Sequence, residues 1–299
     1  MTQCHEEPTS EPAKPEWWNQ HCGDMLKHLS RHLVAIFWIH ARSEPIPTPQ
    51  STDEAYDARQ SMATGFLLSV DGTWFVITAG HVLAQIEQSI ASPRRLVKAN
   101  IRDACHIDGN VEHVVFPLSD VPRLRVDRSH AGVDYGAILV PPHYARLIDR
   151  VGSGPVTEDG VASPEDEFHI MALLGFPRET QQVKIRREGT TMHFHTDFGT
   201  PLLPVLRTDT PPQLLIKEST RVYGQILSME SVSRGVRLSD IDGMSGGPLF
   251  GLTLEDDGVR YRLIGVQSGW DGRTKTIAAC PIQPLVVPLG NKLSGVSIR

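Results

Sequence analysis

The sequence predicts an all-β chain, a sandwich or a pair of barrels. Short apolar or alternating segments recur at even spacing along most of its length. Gly 25 and Pro 22 punctuate them, and helical spacing is confined to a few places. Many short strands broken by turn residues form sandwiches or barrels, whereas βαβ folds alternate strands with helices of 10–15 residues.

Residues 1–22 are rich in Pro, Glu and Gln and are expected to be poorly ordered, although Trp17 and Trp18 are costly to leave in water. From Asp24 to His32 the apolar Met25, Leu26 and Leu29 lie three or four apart, which suits a short amphipathic helix with Asp24 as its N-cap. Leu33–Ala41 reads as a buried strand, and 42–62, with three prolines and scattered acids, as a loop. Thr64–Val70, Asp71-Gly72 and Trp74–Thr78 make a hairpin, because Asp-Gly supplies the positive φ of a tight turn. Strands are further expected at Leu96–Ile101, Val111–Phe116, Leu124–Val126, Tyr135–Val140, Phe168–Leu174, Gln182–Arg187 and Met192–His195. Leu214–Ile216, Val222–Met229, Pro248–Leu252, Tyr261–Gln267 and Thr274–Ala278 complete the set. His81–Ser89 and Pro142–Val151 are helical patterns. Gly152–Glu167, rich in Gly, Ser, Pro and acids, is the most natural seam. The expected organisation is an N-terminal extension (1–31), a first half (32–151), a linker (152–167), a second half (168–290) and a tail (291–299).

Composition closes several doors. A length of 299 residues gives one large domain or two small ones, and 40% hydrophobic with 21% charged residues is ordinary for a globular chain. A net charge of −6 offers no basic footprint for nucleic acid or anionic lipid. The longest strongly apolar run, Leu33 to Ile39, is too short to cross a bilayer. The first residues carry neither a basic start nor an apolar stretch, so no secretory signal is expected. Four cysteines (Cys4, Cys22, Cys105, Cys280) are too sparse for a disulfide scaffold. A cytoplasmic protein is the expectation.

The chemistry lies in three segments. In Asp242-Gly243-Met244-Ser245-Gly246-Gly247-Pro248 a serine is flanked by glycines and followed by an apolar strand. Such a turn exposes the hydroxyl, and the N–H groups of Gly243 and Ser245 are placed to form an oxyanion hole. Ile77-Thr78-Ala79-Gly80-His81 puts a histidine where a strand gives way to a helix. Gly132-Val133-Asp134-Tyr135 sets an acid at the mouth of an apolar strand. Each alone is commonly structural. Their order His, Asp, Ser, with gaps of 53 and 111 residues, makes coincidence a poor explanation.

Together the three segments resemble the signature of the chymotrypsin-like (trypsin-fold) serine peptidases, especially compact bacterial and HtrA-type members, over roughly 33–290. Ile264–Gly269 is similar to the strand that pairs with substrate backbone in that family, and Leu174-Gly175-Phe176-Pro177 to the segment that opens its second barrel. The resemblance implies two six-stranded antiparallel β-barrels with the active site in the cleft between them. It also implies that His81 is the general base, Asp134 its orienting partner and Ser245 the nucleophile, with no cofactor.

The chain departs from secreted members of the family. Val82 and Ile241 stand where those carry cysteines, so none of their disulfides is expected, in keeping with a reducing compartment. Met244 stands where zymogen-activated members carry an aspartate, which argues against activation by N-terminal cleavage, and Gly136 replaces a usual alanine. By the same resemblance Ser239 falls at the base of the primary substrate pocket, Ser268 on the substrate-pairing strand and Trp270 at the pocket wall. An uncharged base with a bulky wall favours a small or medium apolar residue, while a one-residue shift to Asp240 would favour Lys or Arg.

Other features are bland. His193 and His195 share one strand face without a third ligand, and the Cys4-His5 and His21-Cys22 pairs match no zinc spacing, so no metal is expected. Cys105-His106 and Cys280 read as ordinary residues of the barrels. The expected function is a serine endopeptidase acting on protein or peptide; the N-terminal segment with Trp17, Trp18 and the helix either packs over one barrel, the favoured reading, or docks a regulatory partner. The rivals are a catalytically silent peptide-binding module and an esterase; the order Ser, Asp, His of the α/β-hydrolases is not the order found here.

Overall fold

Apolar residues on both faces of the central strands decide the architecture. A computed structural model of the chain describes residues 14–41, 58–91, 96–103, 114–118, 121–128, 132–188, 191–216, 220–231 and 236–293. The first half runs α1 (Glu16–Ser30), β1 (Leu33–Ala41), β2 (Ala58–Val70), β3 (Thr73–Thr78), α2 (Gly80–Ala91), β4 (Leu96–Asp103), β5 (Val115–Pro117), β6 (Arg123–Arg128), β7 (Val133–Leu139) and α3 (Pro142–Arg150). The second runs β8 (Ile170–Leu174), β9 (Gln182–Glu188), β10 (Thr191–Asp197), β11 (Leu202–Arg207), β12 (Val222–Ile226), β13 (Glu230–Ser231) and β14 (Val236–Arg237). It ends with β15 (Pro248–Glu255), β16 (Gly258–Asp271), β17 (Thr276–Pro281) and α4 (Gln283–Leu293).

Strands β11, β12, β17, β16, β15 and β8 close into a six-stranded barrel. The first half is a single curled antiparallel sheet in the order β5-β4-β1-β2-β3-β7-β6. It has seven strands rather than six, and its ladder runs from β5 to β6 without closing among the described residues. Alternation along β1 explains the layering. Leu33 and Ala35 face a core shared with the barrel, while Val34, Ile36 and Trp38 face a second core under α2 and α3. In β8, Ile170, Ala172 and Leu174 join the shared core, and Met171 and Leu173 fill the barrel interior. Strands buried on both sides read as continuous apolar runs, which is how they stood out in the sequence. The connection between the halves is pinned to each: Val156 exchanges backbone hydrogen bonds with Leu67 and Ser69, and Ala162 donates to Leu263.

Several expectations are corrected. The first helix starts at Glu16, so Asp24 lies inside it rather than capping it. Trp18, Cys22, Met25, Leu26 and Leu29 form one buried stripe against the shared core, and that burial stabilises residues whose composition looked unable to fold. Trp18 is wholly buried within this chain, so it presents no surface to a partner. Strand β2 begins at Ala58, inside the segment read as a loop. Leu214–Ile216 is no strand: Gln213–Leu215 forms a 3-10 turn begun by Pro212. Conversely, β11 was unforeseen because Pro204 sits in its middle. That strand still holds its place, since the Pro204 carbonyl accepts the N–H of Leu227. Helix α4, interrupted by Pro288, was also missed. Cys4, His5, Cys105, His106 and the side chains of His193 and His195 lie outside the described residues. Among the described residues no helix is long and apolar enough to cross a membrane.

His32, between α1 and β1, ties the sheet to the barrel. Its Nδ1 meets the Gly154 carbonyl at 2.7 Å, Nε2 meets the Tyr261 hydroxyl at 3.3 Å, and the ring packs on Phe250. Burial pushes its pKa from 6.5 down to about 4, the Arg31 charge adding to the effect and the Gly154 carbonyl opposing it. Above pH 6.5 the imidazole is neutral in both folded and unfolded chains. Between 6.5 and about 4 only the unfolded chain binds the proton, so stability falls as pH drops through that window. Down to pH 5 this one group removes about 2 kcal/mol. Urea unfolding at pH 7 and pH 5 should therefore show a pH-dependent loss smaller by about 2 kcal/mol in His32→Gln than in the wild type. An identical pH dependence in both would contradict the assignment.

Candidate active site

The site begins where β3 hands over to α2. Strand β3 pairs with β7, Thr78 opposite Gly136, which sets the first turn of α2 beside Asp134. One carboxylate oxygen, Oδ1, accepts the backbone N–H of His81 at 2.8 Å, and Oδ2 accepts Nδ1 of the same residue at 2.7 Å. The first turn of α2 holds no acidic residue of its own, so Asp134 supplies the negative charge that a helix N-terminus favours. The approach needs Gly80: a Cβ there would stand 2.8 Å from Asp134 Oδ1. A carboxylate oxygen accepts here, so Nδ1 is the donor to Asp134, which in the neutral tautomer leaves the lone pair on Nε2. The Asp134 side chain is 10% exposed and the imidazole 42%, so the carboxylate is shielded while the ring stays open to the cleft.

Ser245 comes from the other half, on the turn leading into β15. The peptides on either side of it fix the local donors. The Asp242 carbonyl accepts the N–H of Arg178 at 2.6 Å, and the Met244 carbonyl accepts the N–H of Gly247 at 2.8 Å. In a trans peptide the N–H points opposite to the carbonyl, so both anchors turn the N–H groups of Gly243 and Ser245 away from them. Neither N–H donates to a protein acceptor among the described residues. Gly243 and Gly246 adopt φ of +92° and +90°, and a Cβ on Gly246 would overlap Thr78 Oγ1 and the Thr64 carbonyl.

His81, Gly243 and Ser245 line one cleft of about 250 Å³, together with Trp38, Met62, Arg178 and Gln181. No hydrogen bond joins Ser245 to His81 among the described residues. Asp134 stands behind the imidazole and is braced from the barrel. Arg221 donates through Nε (2.8 Å) and Nη2 (2.5 Å) to the Gly132 carbonyl, and Cys280 Sγ lies 3.4 Å from the same oxygen. The Tyr135 hydroxyl donates to the Pro281 carbonyl. Burial pushes the Cys280 thiol and the Tyr135 phenol above their ordinary pKa values, so both stay protonated and serve as hydrogen-bond groups.

The residues expected around the primary pocket have the following surroundings. Ser239 is exposed, and its N–H donates to the Glu179 carboxylate at 2.7 Å. The Ser268 hydroxyl meets Cys280 Sγ at 3.4 Å, and Trp270 packs against the barrel core. None of the three lines the cleft that holds Ser245 and His81. Two residues at the site escaped the sequence. Thr64 is a hydroxyl in an apolar strand, a signal that was available; Arg221 is an isolated basic residue with no local signature.

No protein-family model matches this chain, and no curated protein matches it. Solved structures similar to it include the HtrA-type protease AlgW with a decapeptide, at TM-score 0.49 and 10% identity over 92% of this chain and 68% of that one. The thermostable serine protease AL20 from an extremophilic microorganism aligns at TM-score 0.46 and 14% identity, covering 90% and 99%. An inactivated protease paralogue of the scabies mite aligns at TM-score 0.43 and 10% identity, covering 90% and 95%. Likenesses this distant carry no chemistry, which rests on the cleft itself.

Gly246→Ala combines a left-handed backbone with the overlap on Thr64 and Thr78. It should lower the unfolding free energy by about 2–5 kcal/mol in urea titration. A loss below about 0.5 kcal/mol would contradict the close packing of this loop on the sheet.

Proposed function

We propose that this chain is a serine endopeptidase that cleaves protein or peptide substrates through an acyl-enzyme. The observation that carries the proposal is the double grip of Asp134 on His81, in the same cleft as Ser245, whose own N–H and that of Gly243 donate to no protein acceptor among the described residues. A serine hydroxyl is a weak nucleophile near neutral pH and needs a base within reach. With Nδ1–H held by Asp134, Nε2 of His81 takes the Ser245 proton as the oxygen attacks the scissile carbonyl. The carboxylate stabilises the imidazolium that forms. The N–H groups of Gly243 and Ser245 receive the oxyanion, each such donor being worth about 2.7–4 kcal/mol in related chemistry. His81 then protonates the leaving amine, and water, activated by the same nitrogen, releases the acyl group.

The second reading, a catalytically silent cleft that holds a peptide, is favoured by the missing hydrogen bond between Ser245 and His81. Catalytic hydrogen bonds commonly tighten only in the substrate complex, so that observation weighs less than the assembled partners.

Fluorophosphonate probes decide between the two. The wild type should be labelled, with labelling abolished in Ser245→Ala and reduced at least about 100-fold in rate in His81→Ala. Asp134→Asn should keep the fold and lower kcat by about 10⁴, the cost of losing the orienting carboxylate of a Ser-His-Asp triad. A wild-type chain that takes no Ser245-dependent label would sink the peptidase reading and favour the silent cleft.

A further inference from the structure

Thr64 belongs to β2 of the open sheet, yet its hydroxyl serves the barrel. The residue is wholly buried. Its Oγ1 accepts the N–H of Phe176 at 2.9 Å and donates to the Gly243 carbonyl at 3.0 Å. A hydroxyl has one hydrogen, so the Phe176 N–H fixes its direction: the proton can only go to Gly243. The backbone of Thr64 is held in turn, since its carbonyl accepts Thr78 Oγ1 at 2.8 Å. Gly243 carries one of the two donors assigned to the oxyanion, and as a glycine at φ +92° it has no side chain to resist rotation of its flanking peptides. The Asp242 carbonyl is tied to Arg178 within the barrel, and the N–H of the Gly243–Met244 peptide donates to the Ile241 carbonyl at 2.9 Å; on its carbonyl side that peptide is held by Thr64 alone among the described residues.

We infer that Thr64 is a positioning residue of the peptidase reaction proposed above: its hydroxyl, reaching across from the sheet, holds the carbonyl side of the Gly243–Met244 peptide and so, together with the Arg178 anchor on the preceding peptide, keeps the Gly243 N–H aimed into the cleft. The claim rests on that reading for its kinetics, and on the hydrogen bonds alone for its geometry. An oxyanion donor acts on charge that develops in the transition state, so a misaimed N–H lowers kcat and leaves ground-state binding alone. A merely structural threonine would alter stability and leave kcat of the folded enzyme unchanged.

The test compares Thr64→Val, which keeps the shape and removes the hydroxyl, with Thr64→Ser, which keeps the hydroxyl. Peptide cleavage should fall about 10–100-fold in kcat for Thr64→Val with KM within about twofold, and Thr64→Ser should stay within about threefold of the wild type. A crystal structure of Thr64→Val should show the Gly243 N–H turned from the cleft. Should the valine variant fail to fold, Thr64→Cys, with a thiol that donates weakly, is expected to show the same loss in kcat. A folded Val or Cys variant with wild-type kcat, a rise in KM alone, or a serine variant as impaired as valine would overturn the inference. If the wild type cleaves no peptide, the peptidase reading falls. The crystal structure still speaks then, because an unturned Gly243 peptide overturns the positioning claim by itself.

Discussion

Asp134 spends both carboxylate oxygens on one neighbour, and the cleft depends on that grip. By holding the backbone and the ring of His81 together, it sets where α2 starts and which imidazole nitrogen is left free of Asp134. The grip demands a residue without a Cβ at position 80 and a carboxylate held largely out of water. It also demands that the turn ahead of β7 stay fixed, and the barrel supplies that through Arg221 and Cys280 on the Gly132 carbonyl. His81 and Asp134 therefore stand on the first half's sheet while their brace stands on the barrel.

That division explains why so much of the molecule lies at the seam. His81 belongs to one half and Ser245 to the other, so a small slip between the halves would separate them and undo the proposed chemistry. The shared apolar core, to which α1, both strand systems and α4 all contribute, resists such a slip without direction. Directional ties add the register: Thr64 to Phe176 and Gly243, Tyr135 to Pro281, and His32 to Gly154 and Tyr261. A dense core sets how near the halves lie, and the hydrogen bonds set how they face.

Much of this was legible in the sequence, for physical reasons. Leu33–Ala41 and the Asp71-Gly72 hairpin were readable because two-sided burial gives unbroken apolar runs and a tight turn demands special residues. The three segments bearing His81, Asp134 and Ser245 announced themselves because close backbone approach leaves small residues beside the functional one. What failed depended on distant partners. Helix α1 extends over Trp17 and Trp18 because a core elsewhere receives Trp18. Strand β11 tolerates Pro204 through the ladder that its neighbours complete.

The most direct measurement of the central claim is the pre-steady-state release of nitrophenol from an activated peptide ester. The account predicts a burst of about one equivalent per chain followed by slower turnover, with the burst absent in Ser245→Ala. A burst that survives Ser245→Ala, or a folded wild-type chain that releases no nitrophenol at all, would contradict it.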